Sequence, residues 1–279
     1  MFRRSQILTS TQWITSTKHR MPNKLLSALS KEEYKRLLPN LEAVSLPVRQ
    51  IIYAPNQLIE YIYFPTDGII SLVNVTQNGG IVEAATVGNE GMVGIPILLG
   101  GNEMIGQAIV QVAGNAVRMK ADVFKRSVLN GCQLHNLLLR YTLALMNLIS
   151  QSVACNSLHS AEQRCCRWLL MCLDRVQSDS FLLTQEFLAQ MLGVQRPTVS
   201  GVATILQQAG LIRYSRGKMT ICDRSRLEAN SCECYGIVTQ EFERLLKDTA
   251  QKSKDSNSNG NGLFAPIVQP QVNGQLTPL

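Results

Sequence analysis

The sequence predicts an α+β chain of three parts: an N-terminal antiparallel β-roll, a long helix, and a C-terminal winged helix-turn-helix. Three observations predict it. Short β-branched runs recur at even spacing between residues 41 and 120. An apolar repeat of 3.5 residues runs from 134 to 155. A helix, a Gly turn, a second helix and a hairpin follow one another over 182–223.

At 279 residues the chain has room for two domains with real cores. Residues 1–20 carry Arg3, Arg4, Lys18 and Arg20, many Ser and Thr, and no acid. Transit peptides have this composition, but the expectation for 1–21 is a disordered extension, or a translation start at Met21. The roll domain is placed at 22–130. It opens with a helical stretch over 22–40, where Leu25, Leu26, Leu29, Tyr34, Leu37 and Leu38 fall on one side. Strands are expected at 59–64, 69–76, 81–87 and 108–112. Pro65-Thr66-Asp67-Gly68 and Gln77-Asn78-Gly79-Gly80 read as turns between them. Evenly spaced strands with Gly turns favour a small barrel or roll.

The long helix is placed at 134–157, within a segment 131–158. Leu134, Leu138, Tyr141, Leu145, Leu148, Ser152 and Cys155 follow 4-3-4-3-4-3 spacing. That is the a/d seam of a coiled coil, and it predicts a homodimer joined along this helix. Leu137 and Ile149 widen the stripe, onto the chain's own roll. A helix packed wholly on that roll is the alternative.

The winged helix-turn-helix is placed at 159–235. Thr184 is the expected N-cap of its first helix, with Glu186 in the first turn. Phe187, Leu188, Met191 and Leu192 form the apolar face, and Gly193 ends the helix. The second helix starts near Arg196, with Pro197 tolerated in its first turn. Its buried face is read as Val199, Val202, Ala203, Ile205 and Leu206, and Gly210 stops it. Residues 211–214 and 218–222 make a two-stranded wing around Ser215-Arg216-Gly217. From 196 to 226 the basic residues are Arg196, Arg213, Arg216, Lys218, Arg224 and Arg226, against the acid Asp223. Such a stripe suits phosphate. In this motif the start of the second helix meets base edges in the major groove. Gln195, Arg196, Thr198 and Ser200 are therefore the candidate base or phosphate contacts. Arg196 is suited to a guanine edge, and Arg213, Arg216 and Lys218 to phosphate. A further helix is expected over 236–251. The remainder, 252–279, is rich in Asn, Gly, Ser, Pro and Gln and reads as a disordered tail.

Other chemistry finds little support. No run approaches about 20 uninterrupted apolar residues, so no membrane span is expected. The eight cysteines all lie at or after Cys132, mostly in predicted helices, as in a reduced cytoplasmic protein. Cys155, on the seam, is read as a small buried side chain, and less favourably as the partner of its twin across a dimer axis. Cys232-Glu233-Cys234 has neither a second C-x-C nor a His nearby in sequence, so no metal site and no cofactor are expected. His19, His135 and His159 are read as solvated, and Glu83 and Glu90 as exposed. No Walker loop, G-x-G-x-x-G, G-x-S-x-G or H-E-x-x-H occurs, so no enzyme is expected.

Residues 61–73 (YIYFPTDGIISLV), 88–94 (GNEGMVG), 162–175 (EQRCCRWLLMCLDR) and the helix-turn-helix together resemble the Crp/Fnr family of bacterial transcription regulators. The resemblance spans about 22–235. It implies a cyclic-nucleotide-binding-type roll and a homodimer on a two-fold-related operator. Members that bind cyclic AMP supply a Glu after a G-x-x-G turn and, some ten residues on, an Arg-Ser pair for the phosphate. Here Gly94 closes the turn and Ile95 stands where the Glu belongs. Gly106 and Gln107 stand where Arg and Ser belong, and no Lys or Arg occurs between Arg49 and Arg118. A cyclic phosphate in an apolar roll needs such a partner. The pocket is read as degenerate, and cyclic AMP is not expected to bind in the usual way. Arg196 keeps the family's recognition pattern, whereas Pro197 and Gly201 replace a Glu and an Arg common there.

The expected function is a cytoplasmic, homodimeric, sequence-specific DNA-binding regulator. Its partners are double-stranded DNA, a second copy of itself, and RNA polymerase if it activates. The alternative is a ligand-sensing or protein-interaction module whose winged helix does not read DNA.

Overall fold

The computed structural model describes residues 23–128, 131–176 and 178–247. The expected extension at 1–21 and tail at 252–279 lie outside the described residues. The expected first helix is split into α1 (Lys24–Ser27) and α2 (Lys31–Leu37), followed by a 3-10 turn at Leu38–Asn40. Two caps cause the split. Asn23 caps α1, its Oδ1 accepting from the Leu25 and Leu26 amides. Ser30 caps α2, accepting from the Glu33 amide, so the chain restarts rather than continues. Buried Asn23 also donates to the carbonyls of Pro65 and Gly91, which pins α1 to the roll.

The roll is an antiparallel sheet of β1 (Glu42–Leu46), β2 (Ile51–Tyr53), β3 (Tyr61–Val75), β4 (Ile81–Val87) and β5 (Gln107–Lys120). The order is β1-β5-β3-β4, with β2 also on β5. Two expected strands, 59–64 and 69–76, are one bent strand. Pro65-Thr66-Asp67-Gly68 is not a turn but a series of register shifts within β3. The Asp67 carboxylate accepts from the amide and side chain of Asn115 across the bend. Gly114 lies so close that a Cβ there would sit 2.4 Å from the Asp67 carbonyl oxygen. The second expected turn, 77–80, does close the β3–β4 hairpin, with Val75 opposite Ile81. Helix α3 (Ile95–Leu98) and helix α4 (Ala121–Ser127) flank β5.

The long helix α5 runs Gln133–Leu158. By length and apolar content alone it could cross a bilayer. It packs instead as a core helix, with Leu134, Leu137, Leu138, Tyr141, Leu145 and Leu148 in the roll's core. The winged helix-turn-helix module follows as α6 (Ala161–Leu173), β6 (Ser180–Leu182), α7 (Gln185–Leu192), α8 (Arg196–Gln208), β7 (Ile212–Ser215), β8 (Lys218–Ile221) and α9 (Arg224–Ala229). The wing has three strands rather than two, in the order β6-β8-β7. A last helix, α10 (Cys234–Lys247), returns along α5. Asn147 of α5 donates to Glu241 of α10, and Tyr141 meets Phe242 edge to face.

That return corrects the expected dimer seam. Leu134, Leu138, Tyr141, Leu145, Leu148, Ser152 and Cys155 are all buried within one protomer, under the roll and α10. Helix α5 exposes Leu139, Leu143, Met146 and Val153 on its other side, with Ile149 at the edge and Leu158 at the helix end.

The module has its own core, in which Trp168, Leu169, Leu188, Leu192, Val199, Leu206 and Met219 pack together. Ile69 and Val73 of β3 belong to that same core. The outer face of the roll is therefore buried against α6 and α7.

Candidate nucleic-acid interface

Helix α7 begins as the sequence suggests, with Thr184 Oγ1 accepting from the Phe187 amide at 3.1 Å. Gly193, at φ 61°, ends it in the left-handed region. Helix α8 starts at Arg196 with Pro197 in its first turn. Val199, Val202, Ala203 and Leu206 face inward as expected, but Ile205 does not and is 50% exposed. The inward face is already filled by those four residues, so the extra apolar position falls outside it.

Gln195, Arg196, Pro197, Thr198, Gly201 and Thr204 form an exposed strip along α8. A Cβ on Gly201 would meet nothing within 4 Å, so this strip is open and smooth at its middle. Ser200 is placed differently from expectation. Its hydroxyl donates to Gln185 at 2.7 Å and so ties the two helices together. Thr204 takes its place on the strip, a residue the sequence reading missed because Thr looks ordinary in mid-helix.

The wing turn is Arg216-Gly217, with φ of 50° and 75°. Two positive φ values fit a tight two-residue hairpin whose twist matches the strands. Arg213, Arg216 and Lys218 are exposed and form no ion pair among the described residues. The Tyr214 amide donates to Gln207, and its hydroxyl donates to the Leu183 carbonyl, holding the wing against the helices. Arg224 leaves the expected basic stripe. It is bound to Asp174 at 2.7 Å, to Glu228 at 2.8 Å and to the Tyr235 hydroxyl.

The Crp-like helix-turn-helix domain family matches residues 163–230. The chain carries a Crp-like helix-turn-helix domain. Among curated proteins no relative matches. Solved structures of similar fold cover about 70% of this chain and nearly all of their own. FixK2 from Bradyrhizobium japonicum is 16% identical with a TM-score of 0.59, covering 69% of this chain and 98% of its own. A Crp/Fnr-family regulator from Eubacterium rectale is 18% identical at 0.59, covering 74% and 96%. A Crp-family regulator from Thermus thermophilus is 18% identical at 0.58, covering 67% and 96%. The Crp-like domain thus sits in the fold of the Crp/Fnr regulators, with roll, long helix and winged module in the expected order.

Of the expected pocket positions Gly94, Ile95, Gly106 and Gln107, the two glycines sit in close packing. Gly94, at φ 115°, leads into α3, and Ile95 is its first residue. Tyr141 of α5 lies over the Gly turn: a Cβ on Gly91 would be 2.3 Å from its hydroxyl, which donates to the Met92 carbonyl. A Cβ on Gly106 would be 2.5 Å from the Val73 carbonyl oxygen. Gln107 pairs with Val73 at the start of β5.

Of the two carboxylates expected at the surface, Glu90 is buried and Glu83 half-buried. Glu90 is bound to Arg175 at 2.9 Å, both side chains being about a tenth exposed or less. The same guanidinium donates to the Met171 carbonyl and lies against Gly88, so it is already engaged. Glu83 accepts from the Trp168 indole N–H at 3.0 Å, across the junction of roll and Crp-like domain. Burial pushes its carboxyl up to about 7, against the opposing pull of the Ser71 hydrogen bond, the Arg167 charge, the Trp168 hydrogen bond and the Arg175 charge.

The histidines and the C-x-C pair also differ from expectation. His19 lies outside the described residues. Nδ1 of His135 is buried with no hydrogen-bond partner among the described residues. His159, only 16% exposed, sits with its Nδ1 3.4 Å from Cys234 Sγ. Cys155 is buried, as read from the sequence, and its Sγ is 3.5 Å from that of Cys232. The fold thus supplies the companions that the C-x-C pair lacks in the sequence.

Proposed function

We propose that this protein is a homodimeric, sequence-specific DNA-binding transcription regulator of the Crp/Fnr type. The observation that carries the reading is the exposed start of α8, with Arg196 foremost, together with exposed Arg213, Arg216 and Lys218 on the wing. A guanidinium at a helix start reaches a guanine edge, and wing cations fix the register on phosphate. A mobility-shift titration of selected against random duplexes tests it. Selected sites are expected to bind at least about 10³-fold tighter, with affinity falling as salt rises. Equal, salt-independent binding to both would overturn the reading and favour a protein-interaction module.

The dimer contact is assigned to the exposed face of α5, with Leu139, Leu143, Met146 and Val153 meeting the same residues of a second copy. Their 4-3-7 spacing keeps a 3.5-residue period, with Ser150 at the intervening position. A two-fold pairing would present two recognition helices to half-sites about 34 Å apart. RNA polymerase is the further partner if the protein activates. No step of this function calls for a membrane or a catalytic site, and the cytoplasm is its place.

The roll is proposed not to respond to cyclic AMP in the usual way. Even an alanine at 106 would strike the β3 backbone, where the family's arginine would have to stand. Calorimetry with cyclic AMP is expected to show no micromolar binding; a saturable micromolar isotherm would overturn this. The effector, if there is one, must bind two states of the junction with different affinity.

A further inference from the structure

We propose that Cys155, His159, Cys232 and Cys234 form a structural zinc site that fastens the DNA module to the end of the long helix. The proposal does not depend on the DNA-reading function. One ligand atom from each of the four lies within 4.8 Å of all the others. With Zn–S bonds of about 2.3 Å, the sulfurs of a tetrahedral site stand about 3.8 Å apart. The closest pairs are already near that edge: 3.5 Å for Cys155 Sγ to Cys232 Sγ, and 3.4 Å for Cys234 Sγ to His159 Nδ1. Side-chain adjustments of about 1 Å or less would close the set around one ion. A polynuclear iron–sulfur cluster would need its thiolates farther apart.

The sequence places the ligands in two pairs. Cys155 and His159 are one helical turn apart at the end of α5, on the same face. Cys232 and Cys234 enter and open α10. The three thiols form a buried cluster of their own, separate from both apolar cores. Three sulfurs that only filled space would be expected to merge with the leucines and valines around them. Here they converge on one another.

The surroundings fit a metal as well. His159 Nε2 lies 3.2 Å from the Glu233 carboxylate. A proton on Nε2 leaves the Nδ1 lone pair facing Cys234, the tautomer a ligating imidazole needs. Gln151 Nε2 donates to Cys234 Sγ at 3.0 Å, which offsets the negative charge of a thiolate set. Zn²⁺ with three thiolates and one neutral imidazole carries a net charge of −1, and loading releases three thiol protons to solvent. No oxidant or reductant is needed. His159, the most exposed of the four, marks the route of entry.

The test uses the full chain, purified under reducing conditions without chelator and freed of any metal-binding tag. Mass spectrometry of the metal content is expected to find about one zinc per chain, falling to a tenth or less in Cys232→Ser and in Cys234→Ser. Cys222→Ser, an exposed cysteine outside the cluster, is expected to keep its zinc. Because loss of a ligand can also unfold the variants, the wild-type protein provides a second readout. After chelation and Co²⁺ loading it is expected to show the intense visible bands of tetrahedral cobalt and a sulfur-to-cobalt charge-transfer band. Thiol titration should then find three fewer reactive cysteines with metal than without. Metal-free protein that takes up neither ion when reduced would overturn the proposal. So would a Cys155–Cys232 disulfide in that protein, an iron–sulfur chromophore, or zinc retained by folded Cys234→Ser.

Discussion

The Ser71 hydroxyl has one proton and faces two acceptors, Glu83 and Gln111. If Glu83 is neutral, its own proton goes to Ser71, and the Ser71 proton is free for Gln111. Gln111 in turn donates to Cys172, and the Trp168 indole donates to Glu83. Every member of the row is then satisfied, which agrees with the raised carboxyl. The linkage follows from the sign of that shift. In the unfolded chain Glu83 ionises near its ordinary 4.5, while the folded chain keeps its proton to about 7. The unfolded state binds fewer protons over that window, so stability falls as pH rises through it, by at most about 3 kcal/mol. Glu83→Gln keeps an acceptor for Trp168 and a donor for Ser71. Urea unfolding on either side of the window is expected to show a smaller pH dependence in the variant. An unchanged slope would remove Glu83 from the account. At the same scale, Arg196→Ala is expected to relax preference at one base position per half-site, at a cost of about 1–3 kcal/mol. In vitro selection reads this directly. A uniform loss over all sequences would make Arg196 a phosphate contact instead.

Among the elements, α5 shows best what a sequence can and cannot tell. Its 3.5-residue repeat correctly marks one buried face. Periodicity says that a face is covered, but not by what, and here α10 and the roll cover it. The expected helix at 236–251 is close to the observed α10, yet nothing in its residues names α5 as its partner. The same limit hid the four-residue cysteine–histidine set: Cys155 and Cys232 are 77 residues apart and meet only through the return of the chain. The caps of α7 and α8 were legible because capping is local. The Pro65–Gly68 stretch was misread because turns and bulges use the same residues. The two faces of α5 should respond differently to substitution. Met146→Glu and Val153→Glu are expected to give monomers of nearly unchanged stability, read by sedimentation. Leu138→Ala is expected to cost about 2–5 kcal/mol, because it leaves a cavity in the core. Dimers persisting in both glutamate variants would move the contact elsewhere.

In the whole molecule, the roll and the DNA module are joined by more than a linker. Trp168 to Glu83 and Arg175 to Glu90 cross the junction, and both pairs are largely enclosed. The broad order of parts was readable because each part has its own period: two for strands, 3.5 for the long helix, and a Gly-punctuated pair for the reader. The docking of one part on another was not, since it depends on which face each turns outward. With a shared interior, heating is expected to give one calorimetric transition rather than two. Two well-separated transitions would show that the junction contributes little.

Strand β3 has one further consequence. Ile62, Phe64 and Ile70 serve the first core, while Ile69 and Val73 serve the second. One strand is therefore masonry common to two rooms, and neither room can be rebuilt without regard to the other. A chimera that grafts a foreign DNA-reading module after residue 160 would inherit a wall shaped for Trp168 and Leu169. Unless the graft brings side chains that fit Ile69 and Val73, that wall would face water, and the hybrid would tend to aggregate. Exchange of readers between such proteins is thus restricted by the back of the sheet more than by the helices that touch DNA.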